Sequence, residues 1–284
     1  MWLALAGIVS AQELRVDHVT VAGRDLRAMQ KALESAGLNA EYGGPHSNHA
    51  TEMSLVSFPD GSYLELIAIQ PNADPRAVAA HEWHKFLEGN AGPTSWAVRP
   101  ADFPAEVERL RGTGVTVSEP KPNGRKRPDG VELKWETAQV GPTNGTFFPF
   151  LIHDFTPRER RGYPSGKPTT NARTGVTKVV LAVRDLPAAV ERFRRAYGLS
   201  AVEREDNREL QAKLAWLRDT PVVLASPLSA GSWLNERLRR FGEAPCAFVL
   251  GVTNPHHVET RWFGHVVMWM DANALGWHLG FETK

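Results

Sequence analysis

Apolar and polar positions alternate along much of the chain, and short stretches of helical spacing interrupt them. Val16-Asp17-His18-Val19-Thr20-Val21-Ala22 has the period-two character of a strand. Asp25 stands where a helix needs an N-cap. Leu26, Met29, Leu33 and Ala36 then fall at helical spacing, and Gly37 ends the run. Tyr42-Gly43-Gly44 reads as a turn. Met53 to Phe58 and Tyr63 to Ile69 read as strands joined at Asp60-Gly61, a strong hairpin signal.

The same order of strand, helix and further strands recurs along the chain. A second unit has a strand at Thr94 to Val98, a helix opened by Asp102-Phe103-Pro104 with Val107 and Leu110 inward, and strands around Val115 to Val117, Glu132 to Trp135 and Phe147 to Ile152. In the third, Lys178 to Leu186 lies over His18 to Leu26. Its helix carries Leu186, Val190, Phe193 and Tyr197 and stops at Gly198, and its strands are Leu210 to Leu217 and Val222 to Ala225. The fourth is trimmed: Asn254-Pro255 follows the strand Ala247 to Val252 where a helix would begin, and strands at His265 to Met270 and Gly276 to Phe281 complete it. A linking helix with an aromatic anchor precedes the second unit (His84 to Leu87) and the fourth (Trp233 to Leu238), which pairs unit one with two and three with four. Residues 156–175, rich in Pro, Gly, Arg and Thr, read as a linker. The expected architecture is α+β: tandem βαβββ modules forming two half-open barrels, residues 12–155 and 176–284, the second degenerate.

Composition bounds the function. A chain of 284 residues with 42% hydrophobic content can bury two such cores. Thirty-three basic against 32 acidic residues, a net charge of +1, give no electrostatic case for nucleic acid or an anionic membrane as partner. No segment is apolar and long enough to span a bilayer. Most of the nine tryptophans read as packing residues, and Cys246, the one cysteine, as a buried structural thiol. Trp2 to Val9 is apolar, and Val9-Ser10-Ala11 fits a signal-peptidase site with cleavage after Ala11. Residues 1–11 are therefore expected to be a leader, and the mature protein secreted or periplasmic. The competing expectation is a buried first strand in a cytoplasmic protein.

A curved sheet built from two units leaves a concave inner face, where a polar side chain needs a partner or a ligand. His18 and Glu65 are the candidates. A carboxylate between Leu64 and Leu66 in a strand is costly unless it faces that hollow. His46, just past the Gly-Gly pair, is balanced between ligand binding and holding a turn. His49 and His153 are weaker candidates. His81 and His84 read as surface residues, and His256 and His257 as solvent-facing. Arg125-Lys126-Arg127 and the cluster Arg158 to Arg161 read as solvated loops. No nucleophile elbow or dinucleotide-binding glycine pattern is present.

Gly43-Gly44-Pro45-His46, the stretch Pro59 to Ile67 with Glu65, and His18 on the first strand together resemble the glyoxalase-like branch of the vicinal oxygen chelate superfamily. The resemblance implies a divalent metal (Zn, Fe, Mn or Ni) in the hollow, held by first-strand and last-strand residues, and chemistry of the lyase, isomerase or dioxygenase type. It makes His18 a metal ligand or electrophile and Glu65 a metal ligand or general base; a third ligand is expected from His46 or His49, which follow the Gly-Gly pair. The pattern is incomplete elsewhere. Ser95 and Lys178 stand in place of His18, a residue of Phe148-Pro149-Phe150 and then Leu224 in place of Glu65, and His278 near that place in the fourth unit. The leading expectation is a small-molecule site, metal-dependent by the resemblance, in the first barrel. The alternative is a non-catalytic protein that sequesters a small molecule in the same hollow. Barrels of this superfamily pair within a chain or between chains, so a homodimer is also expected as one arrangement.

Overall fold

The computed structural model of the protein describes residues 14–127, 129–142, 145–199, 201–253, 260–270 and 272–283. The expected leader and the pair His256 and His257 lie outside the described residues. The first half consists of β1 (Val16–Ala22), α1 (Leu26–Glu34), β2 (Glu41–Pro45), β3 (Thr51–Ser57) and β4 (Tyr63–Ile69), then α2 (Pro75–Ala80) and α3 (His84–Glu88), then β5 (Gly92–Val98), α4 (Phe103–Gly112), β6 (Lys121–Lys126), β7 (Glu132–Ala138) and β8 (Phe150–Asp154). After α5 (Arg158–Gly162) come β9 (Arg173–Ala182), α6 (Leu186–Tyr197), β10 (Val202–Asn207), β11 (Ala212–Leu217) and β12 (Val222–Pro227). The chain ends with α7 (Trp233–Phe241), β13 (Ala244–Val252), β14 (Thr260–Trp262), β15 (His265–Trp269), α8 (Ala272–Leu275) and β16 (His278–Thr283).

These strands make two curled eight-stranded sheets of the same order, β2-β3-β4-β1-β5-β8-β7-β6 and β10-β11-β12-β9-β13-β16-β15-β14. The fold is α+β, with two half-barrel modules in each sheet. Three helices start alike: Asp25, Asp102 and Asp185 each accept a hydrogen bond from the backbone N–H three residues on, at 3.0, 2.9 and 2.9 Å. Alternation then sorts the strands. Val19 and Val21 of β1, Leu64 and Leu66 of β4 and Trp96 of β5 join Val179 and Leu181 of β9 and Phe193 of α6 in one core that runs between the barrels. The barrels approach so closely that a Cβ on Gly92, whose φ is +68°, would stand 2.6 Å from the Trp277 ring. Arg237 staples the join, its guanidinium donating to the carbonyls of Ala91 and Pro93 in one barrel and Pro245 in the other.

Three expectations change, and strand β10 goes unpredicted. Tyr42-Gly43-Gly44 is not a turn but part of edge strand β2, with a register shift between Tyr42 and Gly44. The second unit's strand near Val115 to Val117 shrinks to one bridge, Val117 to Val140, and the strand proper is β6. The strand β10, through Glu203, Arg204, Glu205 and Asp206, gives no apolar alternation at all. Both β6 and β10 are sheet edges, where polar residues and proline are tolerated because one side needs no partner strand. Within 156–175, residues 158–162 are helical and Arg173 already belongs to β9. Cys246 is buried, which pushes its thiol up to about 12.

Candidate active site

The hollow of the first barrel is a cavity of about 430 Å³. Glu65 points into it for the reason its neighbours suggest: Leu64 and Leu66 face the core, so Tyr63, Glu65 and Ile67 face the cavity. His46 comes from the end of the bulged β2 segment. Its Nδ1 lies 2.8 Å from Thr51 Oγ1, which turns Nε2 to within 3.5 Å of Glu65 Oε1. Thr20 Oγ1 donates to Glu65 Oε2 at 3.2 Å. Burial opposes the charge on Glu65. The hydrogen bond from His46, the nearby His18 and His46 rings and the Thr20 hydroxyl outweigh it and hold the carboxyl down to about 2.

His18 is presented differently. In an ideal strand Asp17 and His18 would face opposite sides. A register shift between Val16 and His18 in the β1–β5 pairing marks a bulge, which accompanies the meeting of the two side chains at 2.6 Å, His18 Nδ1 to Asp17 Oδ1. The ring stacks on Tyr63, centroids 4.8 Å apart, with Phe150 edge-on at 5.4 Å. Asp17 is fully buried. Arg161 donates to both its oxygens and Arg158 pairs with it as well, while Arg161 also binds Asp154 and the Tyr63 hydroxyl. Burial pushes the Asp17 carboxyl up, but Arg161, Arg158 and His18 override it and keep it well below the usual range. The ionised Asp17 therefore accepts a hydrogen bond from His18 Nδ1–H, so in the neutral ring Nε2 is the acceptor nitrogen.

Around this polar centre stand Met53, Leu55, Trp135, Phe150 and Ile152 on the apolar wall, and Arg125. His81 also lines the cavity. Its Nδ1 accepts from Trp83 N–H at 3.1 Å, and burial together with the neighbouring His46 pushes its pKa down.

The donor types suit a divalent ion, but their placement does not. Among the described residues no three His, Cys, Asp or Glu side chains gather as a metal-holding group. In the second unit, Phe150 lies opposite Ala97 as Glu65 lies opposite Thr20, so Phe150 fills the carboxylate's place. In the third unit, pairing with Val180 puts Val223 there rather than Leu224. In the fourth, Val249 lies opposite Lys178 as Ala97 lies opposite His18, and Val249 pairs with Gly280. Gly280 thus takes that place, and His278 sits two residues earlier.

A family profile described as a glyoxalase-like domain matches residues 16–197. The chain belongs to the glyoxalase-like domain family. No curated protein matches it. Among solved structures, this glyoxalase-like chain resembles a hypothetical protein from Staphylococcus aureus with a TM-score of 0.66, at 12% identity over 95% of this chain and 99% of that one. It resembles a variant of 4-hydroxymandelate synthase from Streptomyces coelicolor with a TM-score of 0.60, at 11% identity over 95% and 92%. A methylmalonyl-CoA epimerase from Streptomyces coelicolor aligns with 38% of this chain and 96% of its own, at 19% identity and a TM-score of 0.34. The two full-length likenesses show that the fold of the whole chain is shared with these structures.

The structure thus brings His46 and Glu65 together and sets His18 in the same cavity. His49 is exposed, and His153 pairs with Glu136 at 3.0 Å away from the cavity. The two basic clusters are corrections. Arg125 is a buried cavity residue on β6, and Arg161, 4% exposed, anchors α5 on Asp17. His81, expected at the surface, is a third. A basic run in a sequence is most often solvated, and nothing local marks which of its side chains turn inward.

Proposed function

We propose that the first barrel binds a small molecule and moves a proton on it, with His18 as the proton acceptor. The observation that carries this is the bulged Asp17–His18 pair, joined at 2.6 Å, on the wall of a cavity that also holds Glu65 and His46. A carboxylate fixed on one imidazole nitrogen orients the ring, sets its tautomer and stabilises the cation formed when the other nitrogen takes a proton. On a carbon acid the step is simple. The C–H bond adjacent to a carbonyl breaks and its proton forms a bond to Nε2, while the C–H electron pair becomes a C=C bond and the carbonyl π pair moves to oxygen, giving an enolate.

Glu65 has another role. A carboxylate held at about 2 is too weak a base to take such a proton efficiently, so it serves as the fixed anion that holds His46. Tyr63 positions the His18 ring by stacking. This reading accords with a lyase or isomerase type of reaction and routes no step through a metal.

The test is solvent-deuterium exchange into a panel of small carbonyl compounds bearing an acidic C–H, with the full chain dialysed against a chelator. We expect exchange that survives dialysis and falls at least ~100-fold in His18→Gln, the scale of a lost general base. Ligands bound with no exchange would replace the reading by simple sequestration, and exchange unaffected by His18→Gln would remove His18 from it.

A further inference from the structure

Arg125 stands apart from the other arginines near the hollow. Arg161 and Arg158 are engaged by Asp17 and Asp154. Arg127 pairs with Asp129 and donates to the carbonyls of Arg160, Tyr163 and Pro164. Arg125, only 9% exposed, makes no ion pair among the described residues. Its one hydrogen bond there runs from Nη1 to the Gly43 carbonyl at 2.7 Å, across the seam between edge strands β6 and β2. A guanidinium has five N–H donors, and one carbonyl uses a single one of them. Glu65 acts on it through space without pairing, being held by His46 and Thr20. A buried cation without an anionic partner is costly, and a ligand that supplies the anion removes that cost.

The wall beside it has the opposite character. Trp135 packs with Ala97, Phe150 and Ile152, and Met53 and Leu55 line the same cavity. The hollow therefore offers a forked donor at one place and a broad apolar surface at another, within a volume of about 430 Å³. We propose that Arg125 is the specificity residue of this site, and that the ligand is a small oxyanion with an apolar or aromatic body, its charged end on Arg125 and its body against Trp135, Phe150 and Ile152. This inference rests on the reading of the cavity as a small-molecule site and adds the chemical class of what enters it. Guanidinium forks carboxylates and phosphates alike, so the shared chemistry is the planar or tetrahedral oxyanion.

The test is isothermal titration of the full chain with phenylacetate, the uncharged isostere phenylacetamide, acetate and phenyl phosphate. Phenylacetate is expected to bind ~10-fold to ~100-fold more tightly than its amide, the scale of a charge-assisted hydrogen bond. Acetate, lacking the body, is expected to bind at least ~10-fold more weakly than phenylacetate. Arg125→Gln should bring phenylacetate down to the level of the amide and leave the amide unchanged. Arg125→Lys, which keeps the charge but not the fork, should fall between, and its thermal unfolding would show that loss of binding is not loss of fold. Phenyl phosphate bound more tightly than phenylacetate would support the site and assign it to phosphate esters. Equal affinity for acid and amide, no binding of any probe, or no change in a folded Arg125→Gln would overturn the inference. Proton exchange with no preference for the anion would overturn it while leaving the proposed function standing. Arg125-dependent anion binding with no exchange would do the reverse.

Discussion

The two barrels share one strand order and differ in what fills them. The first keeps a hollow lined by His18, Glu65, His46 and Arg125. In the second, Val180, Leu214, Val223 and Val249 point inward with Trp262 and Phe263, and Trp216, Trp233 and Trp269 pack on them. Where the first barrel has His18, the second has Lys178, which pairs with Glu282 at 3.0 Å and lies 5.1 Å from the centre of the Trp216 ring. His278 is stacked on Trp233 at 4.1 Å, and burial with Arg237 nearby pushes its pKa down to about 4, a packed ring rather than a titrating one near neutrality. The same backbone thus encloses a polar-lined cavity when its inward positions are polar and mutually partnered, and a core when they are bulky and apolar. β1 and β5 of the first barrel lie against β9 and β13 of the second.

That contrast can be broken from either side. Truncating Trp262, fully buried in the second hollow, should cost about 3–5 kcal/mol by urea denaturation. It should leave deuterium exchange and probe binding in the first barrel unchanged; coupled loss of both would mean the hollows are not independent. Arg161→Met should cost a comparable ~3–5 kcal/mol, since it strips a main partner from the buried Asp17, but here His18-dependent exchange should fall with it. Retained exchange in a folded Arg161→Met protein would show that Asp17 does not position His18.

A smaller effect separates the barrels by pH. Glu65 is depressed from an ordinary value of 4.5 to about 2, so its contribution to stability is complete above 4.5 and is lost as pH falls toward 2. The stability difference between the parent and Glu65→Gln should be flat above about pH 5 and shrink by about 3 kcal/mol below it. A difference independent of pH would mean that Glu65 is not ionised in this arrangement. Least of all should be felt from replacing the second barrel's ion pair as a unit. Lys178→Met alone should cost about 1–3 kcal/mol by leaving Glu282 buried, whereas Lys178→Met with Glu282→Leu should fall within about 1 kcal/mol of the parent. A large loss in the double variant would give that pair a role the packing does not explain.

Much of this was legible along the chain. The capping aspartates Asp25, Asp102 and Asp185 and the helical spacing behind them mark the units, because capping and periodicity are local. Leu64 and Leu66 around Glu65 say which way the carboxylate faces, because a strand has a period of two. The pairing register corrects finer positions: Val223 and Gly280 stand where Glu65 would be, and a slip of one residue reverses a side chain's face.

The chemistry of the site was decided elsewhere. Asp17 reaches His18 at a bulge that exists only because β1 pairs with β5. Its charge is held by Arg161, 144 residues away, and Arg125 closes a seam to Gly43, 82 residues away. The sequence by itself determined most of the elements and the inward placement of His18 and Glu65, all consequences of neighbours along the chain. Only the tertiary structure decided which basic residues are buried, which histidines share a cavity and which of the two hollows stays open. Those depend on burial and on electrostatic partners that folding alone brings within reach.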